Sequence, residues 1–172
     1  MLSYEEERRP IAAGMLGLAT KLLDAAKRGE MRRGREVHQL DLGYPDLSLA
    51  LEKPGRAGGL LAGDRASDAP LRGAAGQARR LFDLFQGSHW TLLGYEVGRH
   101  SISPRLNLHI HMIGTQAELN DDAGHFTAAY APSPGDWFLI RPNGYIGAII
   151  GAHELGVIDS YLADVGVVPR EF

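Results

Sequence analysis

The stretch that most constrains this chain is Gly135 to Ala152, GDWFLIRPNGYIGAIIGA, which reads as a β-hairpin. Trp137 to Ile140 make a short apolar strand, Pro142-Asn143-Gly144 supplies turn chemistry, and Tyr145 to Ile150 make a second apolar strand. Asn and Gly tolerate the positive φ of a tight turn, so the fold-back is locally encoded. No nucleophile, metal cluster or phosphate loop sits on it. It sets shape and leaves the chemistry to other segments.

Upstream, residues 3–28 read as one amphipathic helix. Ser3 with Glu6 forms a capping box, and Glu5, Glu6 and Glu7 suit the positive end of the helix dipole. Ile11, Met15, Leu18, Leu22 and Ala25 follow helical spacing, widened by Leu16 and Leu23. Pro10 leaves two alternatives, a helix starting near Arg9 or a kink between two helices. Lys27 to Arg35, KRGEMRRGR, reads as a solvated linker rather than an anion-binding loop, and Val37, Leu40 and Leu42 as a short strand ending at Gly43-Tyr44-Pro45.

The turn-rich segment Glu52 to Gly59 marks the best boundary, dividing a 1–52 helix-and-strand unit from a 53–172 domain. Beyond it the expected elements are a strand at Leu60-Leu61-Ala62, a helix over 77–86 and strands at His89–Tyr95 and Leu106–Ile113. A polar turn at Gln116–Gly124, an extended piece at Phe126–Tyr130, the hairpin and a helix from His153 to Val165 follow. Leu155, Ile158 and Leu162 give that last helix its face, and Gly166 its stop. The order describes an α/β sandwich, a central mixed sheet with flanking helices behind a long N-terminal helix.

A chain of 172 residues can bury a real core, and a net charge of −3 with a pI near 6.1 gives no bulk attraction to nucleic acid or acidic lipid. The absence of cysteine excludes disulfides, thiol catalysis and thiolate metal sites. The opening MLSYEEERRP lacks the basic and apolar regions of a secretory signal, and no run approaches the roughly 20 apolar residues of a membrane span. A cytoplasmic protein is expected.

His109 and His111 are the most tempting ligands, because i and i+2 on a strand share a face and two imidazoles there could hold a metal. His100, His125, Asp121 and Asp122 are third donors by availability alone, and the alternation with Leu108, Ile110 and Met112 equally describes an ordinary strand. His89 reads as a hydrogen-bonded strand-end residue rather than a general base, and Trp90 as core. Ser88 lies in no GxSxG elbow. Gly55, Gly58, Gly59, Gly73 and Gly76 lack the GxGxxG spacing of a dinucleotide loop. Arg141 could grip a carboxylate or phosphate, but beside a turn it reads as a solvated or locally paired surface residue.

Three blocks in order, LLAGDRASDAPL, RRLFDLFQGSHWTLLGY and GDWFLIRPNGYIGAII, resemble the C-terminal domain of the flavin-dependent aromatic hydroxylases of the phenol hydroxylase and polyketide hydroxylase group. YEEERRPIAAGMLGLATKLLD resembles the helix that closes that family's FAD domain, and VHQLDLGYPDLSL the link that follows it. The resemblance implies a thioredoxin-like fold with Gly94-Tyr95-Glu96-Val97 after the central strand, where thioredoxins carry a reactive cysteine. It implies FAD and NAD(P)H only for a complete member, in which the cofactor supplies the ring hydroxylation. The dinucleotide fingerprint has no counterpart in this sequence, so no catalytic or cofactor-binding residue carries over.

The expected role is therefore an accessory or structural domain of such an oxidoreductase, without turnover of its own. The alternatives are a non-catalytic subunit that complements a separate flavoprotein chain, or a histidine-based metal or small-ligand module. The expected partner is a second copy or a flavin domain, met through Ile11, Met15, Leu18 and Leu22, with no nucleic acid and no membrane.

Overall fold

In the computed structural model, which describes residues 2–27, 49–56, 58–98, 102 and 105–169, the apolar run Trp90–Tyr95 lies inside a seven-stranded mixed sheet. The elements in chain order are α1 (Leu2–Lys27), β1 (Pro70–Gly73), β2 (Ala78–Arg80), α2 (Leu81–Leu84), β3 (Trp90–Tyr95), β4 (Leu108–Ile113), β5 (Leu119–Asn120), α3 (His125–Tyr130), β6 (Trp137–Ile140), β7 (Ile146–Ile150) and α4 (Leu155–Asp164). The strands stand in the order β2-β1-β5-β4-β3-β6-β7. β4 runs parallel to β3 and to β5, while β6 is antiparallel to β3 and to β7. The four strands β4-β3-β6-β7, with α3 before β6 and α4 after β7, carry residues of both apolar clusters.

Side chains alternate across a strand, so each face of this sheet takes every second residue. One face buries Leu93, Ile113, Phe138 and Ile149 under Phe126 and Tyr130 of α3 and Leu81 of α2. The other buries Leu92, Leu108, Trp137, Leu139 and Ile150 under Ile158, Tyr161 and Leu162 of α4. Every residue of β6 and β7 is buried, which is why the hairpin reads as two apolar runs rather than as an alternating pattern. Phe138 meets Phe126 and Tyr130 edge-on at 5.8 and 5.5 Å, contacts worth about 0.5–1.5 kcal/mol each beyond area burial.

The hairpin forms as expected. Arg141 and Tyr145 exchange a backbone bond of 2.8 Å around Asn143-Gly144, and Gly144 takes φ +81°. Ile140 pairs with Ile146 but Leu139 with Ala148, so Gly147 is the extra residue of a bulge. A Cβ at Gly147 would stand 2.8 Å from the Tyr161 hydroxyl and 3.2 Å from Arg141 Cγ. The outer edge of β7 is covered by Leu51, which donates to the Gly147 carbonyl and accepts from the Ile149 N–H.

α4 also forms as expected, ending at Gly166 with φ +81° and a 2.7 Å bond from the Val167 N–H to the Leu162 carbonyl. Other expectations are corrected. α1 runs as one element, Leu2–Lys27, through Pro10. The missing proline donor removes one rung of a 26-residue ladder without dividing it. Residues 60–62 are no strand: Asp64 accepts from the Leu61 N–H at 2.8 Å and closes a turn beside the hairpin. The strand nearest that position is β1.

The helix expected over 77–86 is only half helix. Gly76, at φ +82°, turns the chain so that Ala78–Arg80 pair with β1, and the helical spacing of Leu81, Leu84 and Phe85 extends through a single turn. Phe126–Tyr130 belong to a helix rather than an extended piece. Asp121 accepts from the N–H groups of Phe126 and Thr127 at 3.1 and 2.9 Å, supplying a cap that lies outside the apolar pattern. The polar turn before it contains β5, whose register depends on β1 and β4. Residues 28–48, with the expected linker and the strand at Val37–Leu42, lie outside the described residues.

Candidate functional site

Open α/β sheets place their ligands at the carboxyl ends of parallel strands, which here are the ends of β3 and β4. Glu96 follows β3 with φ +44°, and its Oε1 accepts from the Thr115 N–H beyond β4 at 2.9 Å. Gly114 makes room for that carboxylate, since a Cβ there would lie 2.8 Å from Glu96 Oε2. One carboxylate thus ties two strand ends together.

Beside it lies a cleft lined by Lys53, Pro134, Asp136, Gly151, His153 and Glu154. Asp136 is buried; its Oδ1 accepts from Lys53 Nζ at 2.6 Å and its Oδ2 from the Ser133 N–H at 3.0 Å. Glu154 accepts from the Gly151 N–H at 3.0 Å. Each acid is satisfied by a donor, as a structural carboxylate must be. The pairing holds the segment at residue 53 against the start of β6.

His109 and His111 do share a face, opposite Thr91 and Leu93 of β3. They then diverge. His111 Nδ1 sits 2.5 Å from Glu118 Oε1, whereas the His109 ring stacks on His89 with centroids 3.8 Å apart and planes 23° from parallel. Desolvation, and then the charges of His89 and His111, hold the His109 imidazole below its ordinary range. His89 Nε2 lies 2.9 Å from the Leu84 carbonyl, which also accepts from Thr91 Oγ1 at 3.2 Å. His89 is therefore a hydrogen-bonded strand-end residue, in agreement with the sequence.

Two of the third donors are engaged elsewhere. Asp121 caps α3, Asp122 pairs with Arg72 at 2.6 Å, and His100 is outside the described residues. Among the described residues no group of three His, Cys, Asp or Glu is placed to hold a metal ion. Trp90 is half-buried against Tyr161, edge-on at 5.9 Å. Arg141 corrects the surface reading: it is buried, and its Nη2 donates to the Leu49 carbonyl at 2.5 Å, where Tyr161 also donates at 2.8 Å.

Asp68 lies outside the patterns read from the sequence. Its carboxylate accepts from Arg80 Nε at 2.7 Å and from the Phe82 N–H at 3.1 Å, so it organises the junction of β2 and α2. Desolvation acts against the charged form, but these donors prevail and hold the carboxyl below its usual range. Spacing offers no signal for that contact, which bridges 12 and 14 residues.

Over 153 residues the chain is 35% identical to a flavin-dependent monooxygenase of Mycobacteroides abscessus, a match covering 86% of this chain and 27% of that protein. This chain resembles the C-terminal domain of such hydroxylases. It spans about a quarter of the length of the relative it matches. Two solved structures share the fold. The flavin-dependent monooxygenase PieE, in complex with FAD and substrate, aligns at a TM-score of 0.57 and 16% identity, over 72% of this chain and 25% of PieE. Aklavinone-11 hydroxylase, in a ternary complex with FAD and aklavinone, aligns at 0.56 and 20% identity, over 77% of this chain and 27% of the hydroxylase. No family model matches the chain.

The glycines among the described residues do not build a dinucleotide-binding turn. A dinucleotide needs a glycine turn between a parallel strand and a helix. Gly59 instead packs on the Tyr130 carbonyl, 2.5 Å from where its Cβ would be, and Gly73 and Gly76 flank the β1–β2 turn. No helix among the described residues is long and apolar enough to cross a membrane.

Proposed function

We propose that this chain serves as the C-terminal accessory domain of an FAD-dependent aromatic-ring monooxygenase and has no turnover of its own. The observation that carries the reading is the match spanning 86% of this chain and 27% of a flavin-dependent monooxygenase. Its carboxylates at the strand ends are spent on backbone and lysine donors, as suits a scaffold. In this reading FAD, NAD(P)H and the aromatic substrate belong to the rest of such an enzyme. Purified chain mixed with FAD, NAD(P)H and a panel of phenolic or polyketide rings should retain no flavin and oxidise no NAD(P)H beyond the protein-free control. Stoichiometric retained FAD with ring-dependent NAD(P)H oxidation would sink the reading.

A second reading makes the chain a subunit that complements a separate flavoprotein. The exposed Met15, Leu16 and Leu23 on α1 favour it, because apolar side chains at 41, 71 and 58% exposure suit a docking surface. The face expected from the sequence, Ile11, Met15, Leu18 and Leu22, would then meet a flavin domain or a second copy. Light scattering after size exclusion separates these arrangements: a dimer supports self-association, and a monomer that raises the hydroxylation rate of an added flavoprotein supports complementation. A monomer that changes no flavoprotein's rate counts against the subunit.

A further inference from the structure

We infer that His89 and His109 form an acid-sensitive latch that holds α2 and the loop after it against the sheet. α2 spans four residues, Leu81–Leu84, too short to be stable on its own propensity. Its start is held by Asp68. Its end is held by the Leu84 carbonyl, which receives His89 Nε2 and Thr91 Oγ1. The His89 ring lies flat on His109 of β4, so the loop between α2 and β3 is fastened across two neighbouring strands. Next to this assembly is a cleft between α2 and the hairpin turn, lined by Arg65, Phe82, Phe85, Gln86, Pro142 and Asn143.

With at most one ring charged, His89 Nε2–H can point at the Leu84 carbonyl over the His109 ring. A charge on both rings places two cations within one stack at 3.8 Å, where they repel. Among the described residues, the charged groups around the stack are His89 in the α2–β3 loop, His111 on β4, and Glu118 in the β4–β5 turn, which reaches His111 rather than His109. Among the described residues no carboxylate faces His109 to offset the second charge. Acid therefore separates the rings, frees the end of α2, and opens the cleft beside Phe82 and Phe85.

The test is amide hydrogen exchange of residues 84–91 in the whole chain across about pH 5 to 8, corrected for intrinsic exchange, with His109→Phe as comparison. Phe keeps a flat ring and takes no proton. The wild type should lose about tenfold or more of its protection at the acid end, one pK unit of coupling, while His109→Phe stays level. His111→Gln, which removes a neighbouring charge, should move the wild-type midpoint to higher pH without abolishing the response. Should His109→Phe not fold, His109→Gln replaces it. An equal acid response in wild type and the uncharged variant, or no response in wild type, overturns the latch.

Discussion

The β6–β7 hairpin and the β1–β2–α2 corner both fold the chain back on itself, yet they are held in opposite ways. The hairpin is apolar on both faces, turns on its own Asn143-Gly144, and carries core side chains for each half of the domain. The corner buries Leu71, Gly73 and Leu81, but all three residues of β2 are exposed, and its geometry depends on Asp68 and on the latch at Leu84. Local encoding with deep burial yields an element that should unfold only with the whole domain. Tertiary tethering of an exposed element yields one that should open by itself.

The sharpest way to break the comparison is Phe138→Ala, which removes the ring meeting Phe126 and Tyr130. It should cost about 3–5 kcal/mol in a urea titration, with the corner and the hairpin melting together. A loss under 1 kcal/mol would show that the hairpin is not the centre of the core. Gly147→Ala should come next at about 1–3 kcal/mol, because its methyl meets Tyr161 and Arg141 beside the bulge. Thermal melting against Gly156→Ala, whose added methyl meets nothing within 4 Å, isolates that clash.

Asp68→Ala should cost about 1 kcal/mol by loss of the bond to the Phe82 N–H and the Arg80 pair. Exchange protection should fall at residues 78–85 and remain at 137–150. A uniform fall would remove the distinction between the two regions.

The smallest effects are those of pH. The folded Asp68 carboxyl lies below its usual value, so the stability it contributes is present above the unfolded pKa and is lost as pH falls through the folded one. Asp68→Asn should flatten the melting profile only in the acid range beneath about pH 4. The folded His109 imidazole also lies below its ordinary value, but as a base its neutral form is the one favoured. Its contribution is complete above about pH 6.5 and declines as pH falls from there towards the folded pKa. A chemical-shift titration placing His109 at or above the free-imidazole range would contradict this sign.

Most of the sheet is legible in the residues. β3, β4, β6 and β7 coincide with apolar or alternating runs, and α4 with the spacing of Leu155, Ile158 and Leu162 before Gly166. The resemblance to flavin-dependent hydroxylases was carried by the same stretches. The site was less legible. The shared face of His109 and His111 follows from the period of a strand, but their divergence, one to His89 and the other to Glu118, depends on what neighbouring segments present.

What the sequence determined alone was therefore whatever is decided within a few residues: the turn at Asn143-Gly144, the burial of its two strands, the stop at Gly166, and the exclusion of thiol chemistry. What only the tertiary structure decided was the strand at Ala78–Arg80, the helix at His125–Tyr130, the burial of Arg141 and the histidine stack. For the strand, the arginine and the stack the deciding partner belongs to a separate segment, β1, Leu49 or His89, whereas Asp121 caps the helix from five residues before Phe126. A hydrogen bond or ring contact across such a separation leaves no periodicity in the chain, because its partners are chosen by the fold rather than by their spacing.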